Sequence, residues 1–133
     1  MQIILPISSY TQFYKKEDEY YPKPLIEIRG KPMIQVVIED LVNQFPTCKF
    51  ICIIEKENSQ LFSLKNIIDT ATKGRSKVIE RNSTSGALCS VLLGIEEIDK
   101  DDEIIVLNAD QVIVDDLNRI TRFFKIEEAS AGV

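Results

Sequence analysis

The chain has 133 residues, 16 Lys and Arg against 21 Asp and Glu, and no histidine, for a net charge of -5. That length suits one domain with a real core, and no apolar run reaches the roughly 18 residues needed to cross a bilayer, so no membrane partner is expected. The basic residues are scattered apart from Lys15-Lys16 and Arg29/Lys31, which excludes the concentrated basic surface that nucleic-acid binding requires; without histidine, any chemistry must run on carboxylates, lysines or a carboxylate-held metal.

Short β-branched runs alternate with stretches of helical period, which predicts a parallel sheet with crossover helices. The first strand is predicted over residues 2–6. Met1 leads straight into it with no basic n-region or cleavage site, so no signal peptide is expected and the expected compartment is the cytoplasm. A polar, aromatic segment from Ile7 to Tyr21 follows, longer than a usual strand-to-helix connection, and such loops often carry function. Pro32 is placed to open a helix whose face is Ile34, Val37, Ile38 and Leu41, running to about Gln44.

Residues 49–55 read as a second buried strand. Asn58 or Ser59 is the expected N-cap of the next helix, with Leu61, Leu64, Ile67 and Ile68 as its core face. A third strand is predicted over 76–80. A helix from Gly86 follows, with Ala87, Val91 and Ile95 facing inward and Leu88 and Leu92 broadening the stripe. A fourth strand is predicted over 103–107. Asp115 or Asp116 can cap a last helix bearing Leu117, Ile120, Phe123 and Phe124, and Ala131-Gly132-Val133 reads as a strand just beginning. Cys48, Cys52 and Cys89 show neither C-x-x-C spacing nor histidine partners and read as buried free thiols.

In open parallel sheets, ligands bind beyond the carboxyl ends of the strands. Three segments should therefore share a crevice: 7–25, 81–86 and 108–111. Lys23 lies between Pro22 and Pro24, which fix the local backbone and aim the ammonium as a phosphate requires; the plain alternative is an exposed turn lysine. Asp110, in Asn108-Ala109-Asp110-Gln111, closes the fourth strand where a hard oxygen ligand could hold Mg²⁺ against phosphates, or simply serve as a turn aspartate. Thr84, Ser85 and Gly86 open a helix with small residues that expose backbone N–H groups, as a nucleotide site or as an ordinary cap. Gly30-Lys31 is not a P-loop, because Leu25 and Pro32 stand where that motif needs glycine and Ser or Thr.

The run Pro22-Lys23-Pro24-Leu25 through Gly30-Lys31-Pro32-Met33-Ile34 closely resembles the P-K-P-L-x-x-x-x-G-K-P-M-I signature of the sugar-phosphate nucleotidyltransferase family. The resemblance extends to Gly86-Ala87 before a helix and to Asn108-Ala109-Asp110-Gln111 after a strand, in the family's order. It implies a Rossmann-like three-layer α/β/α fold with a mostly parallel sheet, of the nucleotide-diphospho-sugar transferase type and truncated on its C-terminal side, with residues 1–133 as one nucleotide-binding domain. It also implies nucleotidyl transfer from a nucleoside triphosphate to a sugar 1-phosphate with Mg²⁺, in nucleotide-sugar or surface-polysaccharide biosynthesis. The implied roles are phosphate contact for Lys23, metal binding for Asp110, and a nucleobase near Gly86.

The family's glycine-rich loop falls on Ser8-Ser9-Tyr10-Thr11-Gln12-Phe13, which lacks both glycines and the arginine. Ser8 and Ser9, with Thr84 and Gly86, are the residues expected along the nucleotide. Side chains in place of glycine obstruct backbone approach to phosphates, and the missing guanidinium removes a bidentate clamp. The rival expectation is a catalytically inactive relative acting as a sugar-nucleotide sensor or assembly partner, with Tyr10, Phe13, Tyr14, Tyr20 and Tyr21 as contact surface. For assembly, a homo-oligomer or a missing C-terminal half are the alternatives.

Overall fold

The structure is a computed structural model and describes residues 1–7, 22–82 and 84–133. The first strand, β1 (Gln2–Pro6), is buried at every position. A 3₁₀ turn, Lys23–Leu25, leads into a two-stranded hairpin, β2 (Glu27–Ile28) and β3 (Lys31–Pro32), and then α1 (Met33–Gln44). Next come β4 (Lys49–Glu55), α2 (Lys56–Phe62), α3 (Leu64–Ala71) and β5 (Ser76–Arg81). α4 (Ala87–Leu93), a 3₁₀ turn, β6 (Ile104–Val106) and α5 (Leu117–Ile126) complete the described elements.

The main sheet has the order β5-β4-β1-β6, and every pairing in it is parallel. Alternate strand residues point to opposite faces. Ile3, Leu5, Phe50, Cys52 and Ile54 therefore join Ile34, Ile38, Leu41, Leu64, Ile68 and Leu117 in one core, beneath α1, α3 and the start of α5. Ile4, Ile51 and Ile53 form the core on the other face, packed against Ile79, Val91 and Ile98. Helices thus lie on both faces of a parallel sheet, the three-layer arrangement expected from the alternating pattern.

The strands and α1 fall within a residue or two of their predicted bounds, but several details differ. The helix expected to begin at Asn58 or Ser59 starts at Lys56, directly after β4, and is interrupted by Ser63 in the left-handed region at φ 53°. Asn58 Nδ2 donates to Glu55 Oε2 at 3.0 Å, while Leu61 is 67% exposed. On α4 only Val91 of the expected face packs inward. Ser90 is buried and Gly94 meets the sheet instead, while Ala87, Leu88, Leu92 and Ile95 are exposed, as is Cys89, which was expected to be buried.

The cause of that rotation is close approach. A Cβ on Gly94 would lie 3.1 Å from Ile53 Cδ1 and 3.3 Å from Ile79 Cδ1, so the chain reaches the sheet through its smallest residues. Phe123 is also exposed, since α5 meets the core through Leu117 and Ile120. Residues 131–133 form no strand; Gly132 packs against the Phe124 ring.

The β2–β3 hairpin has no counterpart in the predicted elements. Arg29 (φ 53°) and Gly30 (φ 83°) form its two-residue turn, and positive φ at both positions is what a type I′ turn demands. Met33 N–H then donates to the Ile26 carbonyl at 2.8 Å, closing the loop onto the start of α1.

Candidate functional site at the carboxyl edge of the sheet

Lys23 is held by its neighbours rather than by its own side chain. Pro22, Pro24 and Leu25 are all buried, and Leu25 belongs to the core beneath α1. The Leu25 N–H donates to the Pro22 carbonyl at 2.9 Å and the Ile26 N–H to the Lys23 carbonyl at 3.2 Å. Two fixed proline φ angles and one core anchor thus leave the lysine stem the only freely turning part of the segment.

Asp110 arrives from the far end of the sequence. β1 pairs with β6 in the register Gln2↔Ile104 to Ile4↔Val106, and the Leu107 N–H donates to the Ile4 carbonyl at 3.1 Å. The chain then leaves the sheet edge, and Ala109, 8% exposed, pins the turn to the core. Lys23 Nζ donates to Asp110 Oδ2 across 87 residues of sequence, with side chains 26% and 34% exposed. The pair is therefore open to solvent and to ligand.

Two adjoining cavities meet there. The smaller, about 110 Å³, includes Pro6, Lys23, Met33, Ala87, Asn108 and Asp110 in its wall. The larger, about 420 Å³, lies between α4 and β6 and is bounded by Leu88, Val91, Val106, Asn108, Gln111 and Ile113. Pro6, Ala87 and Asn108 line both, so the two form one cleft with a charged end and an uncharged end. Asn108 Nδ2 lies 3.4 Å from Gln111 Oε1, aligning one amide with the other at the cavity wall.

The structure thus brings together Lys23, Asp110 and the residue after Gly86. Thr84 and Gly86 themselves line neither cavity. Thr84 Oγ1 donates to the Gly86 carbonyl at 3.2 Å and lies 2.8 Å from Ser90 Oγ, so its hydroxyl is engaged at the opening turn of α4. A Cβ on Gly86 would meet nothing within 4 Å, so open space surrounds that backbone. Ser8 and Ser9, like the aromatic residues from Tyr10 to Tyr21, lie outside the described residues. Asp116 caps α5 by accepting from the N–H groups of Asn118 and Arg119, and Asp115 pairs with Arg119 at 3.0 Å.

Asn108 and Gln111 lie in the segment 108–111 expected at the crevice but were given no role there, whereas Leu88 was expected to face the core and Val106 to be an ordinary strand residue. The signal for Asn108 and Gln111 was their position beside Asp110; Leu88 is on the unburied side of α4, which the packing of Gly94 against Ile53 reveals, and Val106 is a half-exposed residue at the end of β6.

The sequence matches the profile of the family described as Nucleotidyl transferase over residues 19–133. The chain belongs to the nucleotidyl transferase family. No curated protein sequence matches it. Solved structures share its fold: HddC from Yersinia pseudotuberculosis complexed with GMP-PN, at TM-score 0.71 and 16% identity, covers 92% of this chain and 53% of its own. A UDP-glucose pyrophosphorylase complexed with UDP-glucose is similar at TM-score 0.67 and 15% identity, over 96% of this chain and 54% of that one. A nucleoside-diphosphate-sugar pyrophosphorylase from Vibrio cholerae RC9 is similar at TM-score 0.62 and 20% identity, over 90% and 53%. At these identities the likeness establishes the fold, and the chain spans about half the length of the structures it matches. The Rossmann-like, mostly parallel architecture read from sequence is the family's.

Among the described residues no group of three or more His, Cys, Asp or Glu is placed to hold a metal, and no helix is long and apolar enough to cross a membrane. Asp110 supplies one hard carboxylate at the charged end of the cleft. Mg²⁺ is commonly held by one or two carboxylates, with substrate phosphates and water filling the other positions, and the site fits that mode only.

Proposed function

We propose that this chain carries the phosphate-binding part of a nucleotidyl-transfer site that joins a nucleoside triphosphate to a sugar 1-phosphate and releases pyrophosphate. The observation that carries the reading is the meeting of Lys23 and Asp110 at the carboxyl edge of a parallel sheet. An ammonium and a carboxylate side by side match a polyphosphate and its cation. UDP-glucose and GMP-PN, bound in two of the solved structures that share the fold, are ligands of this phosphate-bearing nucleotide class.

In this reading a sugar-phosphate oxygen attacks the α-phosphorus in line. A new P–O bond forms there, the bond to the β-phosphate oxygen breaks, and its electron pair leaves with pyrophosphate. Lys23 neutralises the charge that gathers on the non-bridging oxygens, an effect that is strongest where water is excluded. Asp110 would hold Mg²⁺, which when bound would supply further neutralisation of the phosphates. The uncharged end of the cleft takes the group attached to the phosphates. We place the activity in nucleotide-sugar or surface-polysaccharide biosynthesis in the cytoplasm.

The test is the melting temperature with millimolar Mg²⁺ and each nucleoside triphosphate and nucleotide sugar, followed by pyrophosphate release. A ligand at about 100 times its dissociation constant stabilises by about 2.7 kcal/mol. Stabilisation by one nucleotide, lost in Lys23→Ala and Asp110→Asn, supports the reading; product formation surviving both substitutions removes it. The missing glycines and arginine at residues 8–13 favour a second reading, a non-catalytic sugar-nucleotide sensor or assembly partner. Nucleotide-sugar binding without pyrophosphate release would select it.

A further inference from the structure

Lys23 and Asp110 each suit a different part of a nucleotide–metal ligand, yet each is joined to the other. An ammonium that donates to a carboxylate has fewer donors for phosphate oxygens, and a carboxylate covered by an ammonium is a poorer ligand for a divalent cation. Both backbones are fixed, by Pro22, Pro24 and Leu25 on one side and by Ala109 on the other. Separation therefore needs only rotation of the lysine stem.

We propose that this ion pair gates the site, so that anion and divalent cation bind with positive coupling. A phosphate that draws Lys23 away uncovers Asp110 for the cation, and a cation on Asp110 releases Lys23 for the phosphate. Thermodynamic linkage makes the two effects equal. The inference rests on the reading of Lys23 and Asp110 as phosphate and cation ligands. Because both side chains are partly solvated, the gate is worth about two- to five-fold in affinity at each group.

The gate makes a prediction opposite in sign to simple loss of a ligand. With chelator present and no metal, Asp110→Asn binds pyrophosphate about two- to five-fold more tightly than the wild-type chain. With no phosphate present, Lys23→Met binds Mn²⁺ more tightly by a similar factor. Titration calorimetry reads the first and electron paramagnetic resonance of free Mn²⁺ the second. Asp115→Asn removes the same charge from a residue paired with Arg119, and leaves pyrophosphate binding unchanged.

If the wild-type chain binds pyrophosphate and both site variants bind their ligands equally or more weakly, the gate is overturned and the transferase reading stands. Equal tightening in Asp115→Asn also overturns it, in favour of a general charge effect. If no form binds pyrophosphate with or without Mg²⁺, the reading itself falls and takes the gate with it.

Discussion

Gln2 and Asp99 are joined by two hydrogen bonds: Gln2 Nε2 donates to the Asp99 carbonyl at 3.1 Å, and the Asp99 N–H donates to Gln2 Oε1 at 3.2 Å. Gln2 is 2% exposed, so a buried side-chain amide at the start of β1 ties down the segment that leads into β6. Gln2→Leu keeps the volume and strands both backbone groups. The expected loss is about 1–3 kcal/mol, measured by urea unfolding.

Gly94 sets how closely the chain after α4 approaches the sheet. Gly94→Val places methyl groups against Ile53 and Ile79, already 3.1 and 3.3 Å from a bare Cβ. An overpacking cost of about 1–3 kcal/mol is expected, with Gly94→Ala losing less. Equal stability of Gly94→Val and the wild-type chain would show that α4 can lift without penalty.

Leu92 illustrates the reverse case. At 56% exposure it stands clear of the sheet, and Leu92→Lys is expected to change stability by no more than about 0.5 kcal/mol. Ile53→Ala, at a fully buried position, is expected to cost about 2–5 kcal/mol. Parallel denaturation curves for the two variants decide the matter.

Burial pushes the Cys52 thiol up to about 12 and raises Cys48 from its ordinary value, desolvation being the leading cause in both. A raised pKa means that the fold favours the protonated thiol. The contribution of Cys52 is complete below its unfolded pKa of about 8.5 and is lost as pH rises through about 12. Its slope approaches about 1.4 kcal/mol per pH unit inside that window. Cys52→Ala is expected to flatten the decline in stability between pH 7 and pH 10.5, and a thiol reagent at neutral pH is expected to label Cys89 before either buried cysteine.

Lys23→Ala and Asp110→Asn are each expected to alter stability by no more than about 1 kcal/mol, since a partly exposed ion pair contributes little. Both are expected to abolish Mg²⁺-dependent stabilisation by nucleotide. A large drop in melting temperature without ligand would make the pair structural rather than functional.

Much of this architecture was legible because its signals are local. The buried runs at β1 and β4 and the spacing of Ile34, Val37, Ile38 and Leu41 report periodicity directly; strand-end placement put Lys23 and Asp110 in one crevice with their roles open, and the family resemblance implied those roles. The orientation of α4 was not legible. Hydrophobicity pointed to a face widened by Leu88 and Leu92, whereas the buried positions are Ser90 and Gly94. The hairpin at Arg29-Gly30 was missed because its strands are two residues each, too short for alternation to register.

The order β5-β4-β1-β6 also has a consequence in time. β1 lies between two other strands of the sheet, yet its partners begin only at Lys49 and Ile104. Contacts that span so much sequence form slowly. An almost wholly apolar strand therefore keeps one edge bare until β6 is in place, and the exposure to misassembly is set by how long that edge stays unaccompanied.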